Sequence, residues 1–140
     1  MLHAALSSLL RIDRHRRRAL RKALAPCQYV GTMHLIVRYI SRNPGASQEE
    51  IACFFALDKA SAARDAKRLE DMGHIRREID PSNRRQYRLY LTEAGVEMLS
   101  VIDRAYEDFQ SRLAAGFSPE EWALLTELLA RLEENSQKEL

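Results

Sequence analysis

Seven side chains define the chemistry open to this chain. Lys59, Ser61, Arg64, Lys67 and Arg68 fall at helical spacing, and Arg84 and Arg85 follow the turn-forming run Asp80-Pro81-Ser82-Asn83. Ammonium and guanidinium groups donate charge-assisted hydrogen bonds to phosphate oxygens, and arginine can address a guanine edge with two parallel bonds. Ser47, at the head of Ser47-Gln48-Glu49-Glu50, adds the free amides of a helix start, which favour a phosphate. Catalytic chemistry is not on offer. The chain has no Gly-rich phosphate loop, nucleophile elbow, HExxH motif or carboxylate pair in an active-site setting. Its histidines, at 3, 15, 34 and 74, form no i, i+4 pair with each other or with Cys27 and Cys53. No zinc site and no cofactor are expected. Cys53, within Ile51-Ala52-Cys53-Phe54-Phe55, reads as a small core hydrophobe, and Cys27 carries no surrounding redox motif.

A net charge of +2 conceals an uneven distribution. Residues 1–25 hold seven basic and one acidic residue, whereas residues 93–140 hold four basic and eleven acidic ones. A basic front and an acidic tail suit a protein that turns one side to a polyanion, although a solvated basic helix accounts for the first segment equally well. With 140 residues, 46% hydrophobic and 30% charged, the chain reads as one small globular domain with helical extensions. No apolar run approaches the ~18 residues of a membrane span. The apolar start Leu2-His3-Ala4-Ala5-Leu6 precedes the basic residues, the reverse of a secretion signal, so a cytoplasmic location is expected.

The elements that must position these groups follow from periodicity. Leu2, Leu6, Leu9, Leu10, Leu20 and Leu24 predict a helix over about 3–24, stopped by Pro26. A second helix, about 27–42, is apolar on much of its surface (Tyr29, Val30, Met33, Leu35, Ile36, Val37, Tyr39, Ile40) and should be central. Asn43-Pro44-Gly45 ends it. Ser47 and Glu50 form a capping box that opens a short helix to about Phe55, and Ala56-Leu57 is a tight turn. Asp58 caps a fourth helix, about 59–72, which Gly73 closes. This pair of helices is a helix-turn-helix. The buried stripe of the second member is thin, Ala62, Ala66 and Leu69 with Met72 or Ala63 as further candidates, so its long cations point away.

From Ile75 the period becomes two: Ile75, Arg77 and Ile79, then Tyr87, Leu89 and Leu91, alternate around the turn at 80–85. This predicts a hairpin tipped with Arg84 and Arg85. Thr92 caps a long helix, about 93–115, carrying Val96, Leu99, Ile102, Tyr106, Phe109 and Leu113 in phase. Ser118-Pro119-Glu120-Glu121 starts the last, about 119–134, with Trp122, Leu125, Leu128, Leu129 and Leu132 as its stripe.

A basic helix preceded by a capped helix and followed by a cationic hairpin fits duplex DNA. The helix fits the major groove, and an arginine at a hairpin tip suits the negative potential of the minor groove. The sequence also resembles the MarR/SlyA family. The resemblance rests on Asp58-Lys59-Ala60-Ser61, Arg64, Leu69-Glu70-Asp71-Met72-Gly73, the run Asp80–Arg85, Leu89-Tyr90-Leu91-Thr92-Glu93-Ala94-Gly95 and Leu24-Ala25-Pro26-Cys27-Gln28-Tyr29. It implies a mainly α fold with a small β-hairpin wing. A winged helix-turn-helix core (about 26–92) would be flanked by dimerisation helices (about 1–25 and 93–140).

It further implies a homodimeric repressor on a pseudo-palindromic operator in double-stranded DNA, released by a small aromatic or phenolic effector. Residues 59–72 would be the recognition helix and Arg84 the wing arginine. His34, Arg38 and Tyr39 are candidates for the effector cavity, set against the plainer reading of satisfied core or surface groups. Two departures stand out. Asn83 replaces the family's usual aspartate, which would loosen the fixing of Arg84. Asp65 replaces an apolar residue, with Arg68, Arg64 or solvent as its open choices of partner. The alternative function is a winged-helix module for protein or RNA, which would need neither a twofold partner nor salt-sensitive duplex binding.

Overall fold

Oxygen-bearing side chains stand where the sequence places helix starts. Ser47, Asp58 and Ser118 accept the amides of Glu50, Ser61 and Glu121 at 3.0, 3.1 and 3.1 Å. Each satisfies a donor that the first helical turn leaves without a partner. In the computed structural model, which describes residues 2–138, these caps open three of six α-helices. The order is α1 (Leu2–Leu24), α2 (Met33–Arg42), strand β1 (Ala46–Ser47), α3 (Gln48–Phe54), α4 (Lys59–Asp71), β2 (Ile75–Asp80), β3 (Asn83–Leu91), α5 (Glu93–Ala114) and α6 (Pro119–Gln137). The reciprocal half of the Ser47–Glu50 box is absent among the described hydrogen bonds; the serine alone caps. Gly73, at φ 76°, takes the left-handed position beyond α4 that a side chain would strain. The side chain of Leu2, placed on the α1 stripe from sequence, lies outside the described residues.

The second helix begins six residues later than periodicity suggests. Ala25–Cys27 form a single 3₁₀ turn, and Gln28 and Gly31 adopt left-handed conformations at φ 62° and 57°, which no α-helix continues through. Tyr29 is nevertheless buried, because its ring leaves the turn to join the core, while Val30 is exposed. Helix α2 then buries Met33, Ile36, Val37 and Ile40 on one face. Those four pack with Leu24, Ile51, Ala66, Leu69, Ile75, Leu89 and Ile102 into one cluster.

The sheet has three strands in the order β1-β3-β2, all antiparallel. Strand β1 is too short to show a period in the sequence; Ala46 pairs with Leu89 and anchors the sheet to the helices. In the hairpin Ile75 faces Leu91 and Ile79 faces Tyr87, after which Asp80 faces Asn83. That shift leaves residues 84–86 of β3 without a partner on β2, a bulge that carries both wing arginines.

The chain divides into two compact units, up to Tyr106 and from Glu107 onward. The first holds the whole core cluster. In the second, Gly116 turns the chain from α5 into α6, and Phe117 packs edge-on against Trp122. Helix α6 buries none of its residues, and Leu124, Leu128, Leu129 and Leu132 are exposed. Helix α1 likewise exposes Leu6, Leu9, Leu10 and Ile12 and, among the described residues, buries only Leu20 and Leu24. No described helix is long and apolar enough to cross a membrane.

Candidate nucleic-acid interface

Helix α4 is held by small residues and one buried acid. Ala62, Ala66 and Leu69 are shielded from solvent, as is Asp65. Small inward side chains let the helix sit close to its scaffold, so the outer positions project. Lys59, Arg64, Lys67 and Arg68 are all exposed, and Ser61 is half-buried. They are not equally available. The Lys67 ammonium lies 2.8 Å from Asp71 and 3.5 Å from Glu70, and these carboxylates hold it above the usual lysine range. Lys59 sits 3.3 Å from Glu49. Ser61 donates its hydroxyl to Asp58, whose carboxyl is lowered chiefly by the Ser61 amide. Among the described residues Arg64 reaches only the Ser61 hydroxyl, at 3.3 Å. Ser47 is half-buried and engaged as the α3 cap, though a hydroxyl can still donate.

Asp65 resolves the choice left open by sequence. It is buried, and one oxygen accepts the Thr32 amide and hydroxyl at 2.8 and 2.7 Å while the other accepts Arg68 at 3.2 Å. Position 65 points at the left-handed turn before α2, so a carboxylate serves there where an apolar group would leave the Thr32 amide unpaired.

At the wing, Asp80 accepts the Ser82 amide and hydroxyl, and Asn83 Oδ1 accepts the Arg85 amide at 3.1 Å. These bonds shape the tip, and the Ser82 contacts lower the Asp80 carboxyl. Arg84 and Arg85 are exposed, and among the described residues neither side chain meets an acid within ion-pair distance. The asparagine thus spends its side chain on backbone, and Arg84 is left unfixed. The wing base is firmer: Arg77 Nε lies 2.6 Å from Glu70 of α4, an ion pair off the hydrogen-bonding line. Gln86 donates to Glu49 of α3 at 2.9 Å.

A cavity of about 650 Å³ lies among α1, the turn before α2, α2 itself and the connection from α3 to α4. Arg16, Arg17, Arg21 and Arg38 line it with Tyr29, Tyr106 and Phe55, and no lining side chain is acidic. His34 shares a hydrogen bond of 2.9 Å with the Tyr106 hydroxyl, and Arg38 stacks 4.0 Å above that ring. Burial, aided by Arg16 and Arg38, pushes His34 down to about 4, so it is neutral near pH 7. Of the three cavity candidates, His34 and Arg38 line it and Tyr39 does not. Tyr39 packs against Phe54 and Phe55, centroids 5.0 and 5.8 Å away. Cys53 is exposed, not core: α3 turns Ile51 and Ala52 inward, and Cys53 and Phe54 fall on the outer face. Cys27 is half-buried. The cavity arginines on α1 are not legible from sequence, because their cluster reads as a solvated face until Leu20 and Leu24 fix the helix against the core.

Comparison with known proteins agrees with this geometry. The family model described as MarR family matches residues 32–87. A transcriptional regulatory protein from Thauera aromatica is 36% identical over 101 residues, covering 69% of this chain and 58% of that protein. A crystal structure of MarR superposes with a TM-score of 0.85 at 35% identity, covering 94% of this chain and 90% of that one. A MarR family regulator from Listeria monocytogenes, solved with a 26mer DNA, superposes with a TM-score of 0.83 at 25% identity over 93% and 87% of the chains. Fold, motifs and relatives agree: the chain belongs to the MarR family of winged helix-turn-helix transcriptional regulators.

Proposed function

We propose that the protein is a homodimeric repressor that binds a pseudo-palindromic duplex operator through Lys59, Ser61, Arg64, Lys67 and Arg68 in the major groove, the helix start at Ser47 on a phosphate, and Arg84 and Arg85 of the wing on the minor groove and its phosphates. The observation that carries the reading is the set Arg64, Arg84 and Arg85: exposed cations on two projecting elements, none within ion-pair distance of an acid among the described residues. Unneutralised guanidinium groups on rigid supports are suited to phosphate and base edges. The uncovered leucine rows of α1 and α6 support a second copy as their cover, since exposed apolar stripes of this extent mark interaction surfaces. Light scattering at micromolar concentration is expected to give twice the chain mass. Fragments of the source genome selected by the protein should carry two half-sites spaced by about one DNA turn, ~34 Å. Gel shifts on such a fragment should weaken steeply with salt. A monomer, or capture of RNA in place of duplex, would sink this reading.

The cavity supports a small anionic aromatic effector, because four arginines and three aromatic rings line it. Asp13 pairs with Arg16 and Arg17, and Asp103 with Arg38, from outside the lining, so an anion would compete with these carboxylates for three of the four guanidinium groups. A ligand that favours the DNA-incompetent state must lower operator affinity by linkage. Salicylate at millimolar concentration should therefore weaken the gel shift severalfold, and Arg38→Ala should blunt the response. An unchanged shift would remove this effector class and leave DNA binding intact.

A further inference from the structure

Among the described residues Asp65 is the only buried charged side chain, and it stands between the cavity and the DNA-facing side of α4. A buried carboxylate is tolerated only when its lone pairs are filled. Here they are filled from both directions. Thr32, whose residue lines the cavity together with Gly31, donates its amide and hydroxyl to Oδ2. Arg68, whose side chain is 48% exposed on the outer face, donates to Oδ1. The fit is close: a β-carbon at Gly31 would lie 2.6 Å from Oδ2, so the turn approaches the carboxylate more nearly than any residue with a side chain could.

We propose that Asp65 is a specificity-determining positioning residue, which ties Arg68 to the cavity-wall turn Gly31–Thr32 so that this turn sets where Arg68 meets DNA. The inference rests on the DNA-binding reading above. One guanidinium nitrogen is spent on Asp65, and the other N–H groups of Arg68 stay available to DNA. Holding the fork in place before binding removes an ordering cost that operator contacts would otherwise bear. The carboxylate also partly cancels the attraction of Arg68 for any phosphate, which lowers binding to arbitrary sequence. Both effects widen the gap between operator and other DNA, which is what specificity measures.

The test uses the full-length protein, an operator fragment selected as above, and a scrambled duplex of equal length. Asp65→Asn should weaken operator binding about tenfold while leaving the scrambled duplex unchanged or up to about threefold tighter. Thr32→Val, which faces the cavity and removes only the hydroxyl, should cut the operator-to-scrambled ratio by about threefold or more. With Arg68→Ala already in place, neither substitution should change that ratio by more than about twofold. A residue that merely stabilises the fold would lower both duplexes together and lower the melting temperature regardless of Arg68. Equal losses on both duplexes, or effects that persist undiminished in the Arg68→Ala background, would overturn the proposal. Should Asp65→Asn fail to fold, the Thr32→Val pair of measurements decides alone. Wild-type protein that selects no duplex overturns the DNA-binding reading and this inference together; selective wild-type protein with unselective losses overturns this inference only.

Discussion

Gly95→Ala is expected to destabilise the winged core by about 3 kcal/mol or more, the upper range for overpacking a fitted site. Propensity alone predicts the opposite sign, since alanine is favoured over glycine inside a helix by roughly 1 kcal/mol. Space decides. Gly95 is buried in the first turn of α5, and a β-carbon there would lie 2.1 Å from the carbonyl oxygen of His74 and 3.1 Å from its carbonyl carbon. Those are backbone atoms, so no rotamer change relieves the overlap. The start of α5 would have to separate from the turn that joins α4 to β2.

That separation strains contacts that position α4 and the wing. The Thr92 amide donates to His74 O at 3.0 Å, and the Thr92 hydroxyl donates to Gly73 O at 2.5 Å while accepting the Gly95 amide at 3.2 Å. His74 Nδ1 shares a 2.6 Å hydrogen bond with the buried Tyr29 hydroxyl. Urea unfolding of wild type and Gly95→Ala measures the difference directly. A variant within about 0.5 kcal/mol of wild type, the scatter of an ordinary surface substitution, would show that the overlap relaxes at no cost.

The particular residues show which parts of the molecule sequence can announce. Caps are local: Ser47, Asp58 and Ser118 act within three residues of themselves, and all lie where composition places them. The wing is nearly as local, because turn formers and period-two alternation both act over short range. The start of α2 is not legible in this way. Helical periodicity continues through Tyr29, whereas the left-handed Gln28 and Gly31 break it, and the turn at Gly31–Thr32 is held by a carboxylate 33 residues away from Thr32, a partner that no local pattern encodes. Cys53 departs from its sequence reading for a related reason. An apolar run marks a buried element, but a helix of seven residues has one inward face, and neighbours in sequence fall on opposite sides. Tyr39 illustrates the same limit for the cavity: it lies beside Arg38 in sequence, but its ring packs against Phe54 and Phe55 and does not line the cavity.

Replacing both wing arginines, Arg84→Ala with Arg85→Ala, should weaken operator and scrambled duplex alike by on the order of 100-fold, taking each as a hydrogen bond to a charged group. It should also reduce the salt slope by about two units, roughly 0.9 for each phosphate that the variant no longer neutralises. The equality across sequences follows from position. Both side chains leave β3 within the bulge at residues 84–86, with the tip shaped by Asp80 and Asn83 through backbone bonds and no side chain fixing Arg84. A mobile cation follows minor-groove potential and phosphates more readily than a particular base edge. Arg64 is placed differently. It projects from the middle of a helix capped by Asp58 and is steadied by Ser61 at 3.3 Å. Arg64→Ala should cost ~1–3 kcal/mol on the operator and relax preference at one base pair per half-site, with little effect on scrambled duplex. The neighbouring acids do not intercept it, for Asp65 is engaged by Thr32 and Arg68, and Glu70 by Arg77 and Lys67. Titrations of both variants on both duplexes at two salt concentrations separate the roles. Equal weakening of the two duplexes by Arg64→Ala would make Arg64 a backbone contact. A wing double variant that loses only the operator would move base reading from the helix to the hairpin.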